Sequence, residues 1–131
     1  MIYGAELGKY SAQRRYSMID FEIVKRQIIK ACKNQGIDEV KDMRAFVDFF
    51  RWYYQRYFEC FGREHKRLTT ESVENAIYYT RSFLTNDGGM ELLKELAEQY
   101  FICEFSKGTD YSITHFACPG ILQNRIYEIS L

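Results

Sequence analysis

No apolar run in the 131 residues approaches the roughly 20 that a membrane-spanning helix requires. The first sixteen residues, MIYGAELGKYSAQRRY, contain no apolar h-region of the secretory kind. The four cysteines stand far apart, without the close spacing of a disulfide framework, in a chain long enough for a real core. These absences predict reduced thiols, a cytoplasmic location and no membrane partner. There is also no internal repeat, low-complexity tract or linker. The expectation is a single domain over residues 1–131, burying roughly two-thirds of its unfolded surface. Net charge is zero, but its distribution is uneven. Residues 1–68 hold 14 Lys/Arg against 9 Asp/Glu, and residues 69–131 hold 4 against 9. Two solvated faces with an ordinary bias are one explanation; a basic surface for an acidic partner is the other.

What the chain does have is aromatic weight in one place. The stretch Asp38–Phe61 holds nine of the 22 aromatic side chains. At about 100° per residue, Arg44, Asp48, Arg51, Gln55 and Glu59 fall on one narrow polar stripe. Val40, Met43, Phe46, Val47, Phe50, Tyr53, Tyr54, Tyr57, Phe58 and Phe61 cover about half of the circumference. So broad an apolar face belongs in the middle of a domain.

Around that helix the chain reads as α+β. Helices are predicted over about 17–34, 38–61, 70–85 and 89–100, after a basic, tyrosine-rich arm at 1–16. Phe21, Val24, Ile28, Ala31 and Cys32 form the buried stripe of the first, and Asn34-Gln35-Gly36 stops it. Asp38 is placed to cap the second and Gly62 to end it. Thr69 or Thr70 starts the third, whose buried face is Val73, Ala76, Ile77, Thr80, Phe83 and Leu84. Asn86-Asp87-Gly88-Gly89 breaks it, with Asp87 as cap of the fourth. That helix buries Leu92, Leu93, Leu96 and Tyr100 and turns Glu91, Lys94, Glu95, Glu98 and Gln99 outward. Beyond it, 101–105 and 111–118 are β-branched and aromatic about a turn at 106–110. They are predicted to pair as a hairpin, with 125–129 as a third antiparallel strand.

Chemistry finds little support in the residues. Cys60-x4-His65 and His115-x2-Cys118 offer zinc-like spacing, yet nothing local brings the two pairs together. Cys103 and His115 lack any motif centred on a nucleophile. Gly88-Gly89 opens a helix but has no accompanying phosphate-binding motif. The prediction is therefore a non-enzymatic protein with no cofactor, no metal and no small-molecule ligand. Two kinds of macromolecular partner remain. For nucleic acid, the order helix, tight turn, helix, hairpin is that of winged helix-turn-helix domains, an analogy of order only. The outer face of the fourth helix is the wrong sign for phosphate, so the basic candidates are Arg14, Arg15, Lys30, Lys33, Arg63, Lys66 and Arg67. For a protein partner, or a second copy, the candidates are Phe49, Trp52 and Arg56 at the edge of the aromatic arc. Trp and Arg are favoured at interface centres. Small size and the missing catalytic motif suit a regulator or inhibitor, of the kind found among bacterial and phage accessory proteins.

Overall fold

A three-and-a-half-residue rhythm of burial runs through the chain almost to its end, and the structure follows it as helix. The computed structural model describes residues 21–105 and 108–123. Its elements are α1 (described over 21–34), α2 (Val40–Phe61), α3 (Thr70–Leu84), α4 (Gly89–Phe101), α5 (Ile113–Phe116) and a last helical stretch, α6, over 119–123. No helix among the described residues is long and apolar enough to cross a membrane.

The sequence stripes become buried faces. All five apolar residues expected from α1 are buried, and in α2 so are Phe46, Val47, Phe50, Tyr53 and Tyr57. Burying one such ring or aliphatic chain contributes roughly 1.5–3 kcal/mol, so these two helices supply much of the core. The ring of Phe21 meets Tyr54 edge-on at 5.8 Å, which lays α1 antiparallel along α2. Two amides tie α1 to the segment after α2: Gln27 Nε2 donates to Leu68 O at 3.2 Å, and Gln35 Nε2 to Glu74 O at 2.8 Å. α4 packs against both α2 and α3, and α3 also meets α2 and α5.

The stop signals act as expected at Gly36 and Gly62, both left-handed, with Gly62 N–H closing onto Phe58 O. Thr69 caps α3 by accepting a hydrogen bond from Ser72 N. Two other caps differ. Glu39 holds the cap position of α2 without a side-chain bond, so Asp38 is one residue too early. Gly88, with φ 77°, takes the cap position of α4 in place of Asp87. Two expected core positions also lie outside: Val40 is 65 % exposed at the start of α2, and Leu92 is on the outer rim of α4.

The α+β assignment is overturned. No strand occurs among the described residues, and the expected hairpin at 101–105 and 111–118 is helix end, coil and the short α5. The reason is visible in the burial. Ile113, Phe116 and Ala117 are buried, a helical spacing, whereas a strand would place Ile113, His115 and Ala117 on one face. Ser112 then acts as a helix cap, its side chain accepting from His115 N. Gly108 and Tyr111, both with positive φ, fold the loop back so that Phe105 and Tyr111 pack on Tyr100 instead of pairing. The strand expected at 125–129, the arm at 1–16 and residues 17–20 of the first helix lie outside the described residues.

Candidate functional site

The edge of the α2 arc, where Phe49, Trp52 and Arg56 stand, faces α4. Phe49 is fully buried, so the structure puts it in the core rather than on a partner-facing rim. Trp52 stacks on it at 5.8 Å and 28° and is half-covered. Lys94 of α4 lies over the indole, with Nζ 5.6 Å from the ring centroid. Arg56 grips Glu98 with two bonds, Nε to Oε1 at 2.6 Å and Nη2 to Oε2 at 3.0 Å, and reaches Glu59 at 3.4 Å. Lys94 and Glu98 therefore turn toward α2, not outward as their sequence places them. The three residues form a seam that fastens α2 to α4. The guanidinium and its carboxylate are both partly exposed, so solvent limits the strength of the pair. A double-mutant cycle with Arg56→Ala and Glu98→Ala is expected to give a coupling of no more than about 1 kcal/mol that shrinks with added salt.

Exposed aromatic surface lies instead on α3. The same helical period that buries Val73, Ala76, Ile77, Thr80 and Leu84 leaves Tyr78 57 % and Tyr79 37 % exposed. Their rings meet edge-on at 5.1 Å and 85°. Arg81, one turn on, holds its guanidinium 5.8 Å from the centre of the Tyr78 ring. Helix α3 is anchored behind this trio by α2, α4 and α5, so the two rings stand on a fixed platform. Tyr78 is already visible in the sequence as a tyrosine off the buried stripe. Tyr79 and Arg81 carry the same signal, since neither falls on that stripe, and sequence reasoning passed them over.

The basic candidates do not converge on one feature. Lys30 and Lys33 are exposed on α1. Arg63 donates to the Tyr57 hydroxyl at 3.3 Å. Lys66 is spent on Asp110 at 2.7 Å. Arg67 is exposed on the α2–α3 connection, while Arg14 and Arg15 lie outside the described residues. The hairpin that would serve as a wing is replaced by coil and α5, and Glu91, Glu95 and Gln99 remain on the exposed side of α4.

The histidines and cysteines are likewise dispersed. His65 is enclosed by Tyr53, Tyr54 and Tyr57. His115 uses Nδ1 with the hydroxyls of Tyr100 at 2.6 Å and Thr109 at 2.9 Å. Burial pushes the Tyr100 hydroxyl well above the ordinary phenol range, which leaves it a poor proton acceptor and a poor nucleophile. Burial also pushes the Cys32 thiol up to about 11 and raises that of Cys60 at the end of α2. Both are held as thiols, the unreactive form. Among the described residues no group of three or more His, Cys, Asp and Glu is arranged to hold a metal ion.

No protein-family model matches the chain, and neither a curated protein nor a solved structure shows significant similarity to it. The functional reading rests on the geometry alone.

Proposed function

We propose that the protein is a small non-enzymatic binding protein, of the regulator or inhibitor type, that receives a partner protein on the outward face of α3. The observation that carries this reading is the exposed Tyr78–Tyr79 pair with Arg81 laid against it. Tyrosine and arginine are the side chains whose loss most often weakens an interface. A tyrosine offers large contact area at the cost of two torsions, with a hydroxyl that keeps it soluble when free. The seam of Trp52, Arg56, Lys94 and Glu98 supports this role from the other side by holding α2 and α4 as one base.

Capture from host extract on immobilised wild-type protein, followed by quantified binding of the captured partner, tests the proposal. The Tyr78→Ser/Tyr79→Ser variant is expected to weaken that binding by at least about 30-fold. Its unfolding free energy should stay within about 0.5 kcal/mol per site of wild type, because both rings are at the surface. Where the partner is a second copy, sedimentation equilibrium gives the same comparison. A variant that binds its partner as tightly as wild type overturns the proposal.

A further inference from the structure

His65, in the connection between α2 and α3, makes a junction that partner binding does not use. Its imidazole stacks on Tyr54 at 4.3 Å and 11°, with the rings of Tyr57 and Tyr53 edge-on at 5.0 and 5.9 Å. Both ring nitrogens have backbone partners. Nδ1 lies 2.8 Å from the carbonyl oxygen of Lys66, an acceptor only, so Nδ1 carries the proton and donates it. Nε2 lies 2.9 Å from the backbone nitrogen of Ile113, a donor only, so Nε2 presents its lone pair. The neutral imidazole alone satisfies both bonds. Three further bonds hold the same loop to the same surface. Tyr53 Oη donates to Tyr111 O at 2.8 Å, Tyr57 Oη donates to Asp110 O at 2.9 Å, and Lys66 pairs with Asp110. At their centre Tyr111 keeps a φ of 57°, which a non-glycine residue holds only when its surroundings impose it.

We propose that His65 is an acid-sensitive latch: protonation at Nε2 sets a donor against the Ile113 N–H and releases loop 108–112 and α5 from α2. Release uncovers aromatic rings, because Phe116 of α5 covers Phe49, Tyr53 and Tyr100. The charges around the ring fit this. From α2 it faces only the phenols of Tyr53, Tyr54 and Tyr57, and burial pushes those of Tyr53 and Tyr54 up, away from ionisation. On its own connection Lys66 adds positive charge, Arg63 adds more at the Tyr57 hydroxyl, and Glu64 flanks it in sequence. From the loop comes Asp110. Its burial opposes ionisation, but bonds from Lys66 and Ser112 hold the carboxyl well below the usual range, so it remains charged while His65 titrates. From α5 comes the Ile113 amide, His115 being bonded to Tyr100 and Thr109 instead.

Burial lowers His65 to about 4 from its ordinary 6.5, and once released the ring recovers the ordinary value. The docked form therefore favours the neutral ring. Docking is at full strength above 6.5, weakens as pH falls from 6.5 toward 4, and changes no further below. Between pH 7.5 and pH 5 the opening constant of the latch is expected to rise about 30-fold.

Amide exchange followed by NMR, corrected for intrinsic rates, reads this directly on the wild-type chain. Protection of residues 113–117 should fall about 30-fold between pH 7.5 and pH 5. Phe50 and Ile77 should keep their protection, the His65 ring should show a proton on Nδ1 at neutral pH, and a hydrophobic dye should bind as the segment opens. In His65→Gln, which has no titrating ring, the fall should disappear. Protection at 113–117 that does not vary with pH overturns the latch. Loss of protection at 113–117, Phe50 and Ile77 together overturns it as well, since His65 would then stabilise only the whole fold.

Discussion

Gly89→Ala is expected to destabilise the protein by at least about 3 kcal/mol, although it adds one methyl group at a helix start. A Cβ at this position would lie 1.7 Å from the carbonyl oxygen of Phe83 and 2.5 Å from its carbonyl carbon. These are backbone atoms of the last turn of α3, so no side-chain rotation relieves the clash. Either the end of α3 or the start of α4 must move, and those two helices pack together along their length. Gly88, its neighbour, gives the control. It needs a left-handed backbone, with φ 77°, but an added Cβ there meets nothing within 4 Å. Gly88→Ala should cost only about 1–2 kcal/mol, the ordinary price of that conformation. Urea unfolding of both variants measures the difference. Equal losses would contradict the close approach of the two helices.

Tyr53→Ala is expected to cost about 3–5 kcal/mol, near the whole stability of many small domains. The side chain is fully buried among Phe49, Phe101, Phe116 and His65. Its hydroxyl donates to Tyr111 O at 2.8 Å. Tyr53→Phe separates the two contributions. It keeps the ring and leaves the Tyr111 carbonyl without that donor, which should cost about 1–2 kcal/mol. The same variant should loosen loop 108–112, so its amide protection should fall more at 113–117 than at Phe50. A Tyr53→Phe variant as stable as wild type would remove this hydroxyl from the list of what holds the loop.

These two positions also show what the sequence discloses and what it hides. The helical period of α1 to α3 is legible because each helix buries one face, and that face repeats in the order of the residues. Thr69, Gly36 and Gly62 are legible because their chemistry acts within a turn. The segment 111–118 misleads for a physical reason. Ile113 and Phe116 suit a strand by propensity, but Ser112 supplies a helix cap and tertiary packing selects the other conformation. The seam at Trp52 and Arg56 is half legible. An edge position can be seen on the helical wheel, but nothing in α2 says that Lys94 and Glu98 of α4 will close over it. Those two look like part of a solvated helix face until α4 is packed. The close approach at Gly89 is invisible for the same reason: only the α3–α4 turn brings Phe83 onto it.

What the packing leaves uncovered, after α2 and α4 have closed on each other, is the pair Tyr78 and Tyr79. Hydroxyl-radical footprinting of the protein free and in complex with its captured partner is the most direct test of that surface. Binding through α3 should reduce the oxidation of Tyr78 and Tyr79 several-fold while leaving Ile23 on α1 and Val40 on α2 as reactive as in the free protein. Unchanged oxidation at both tyrosines, with protection at Ile23 or Val40 instead, would contradict it.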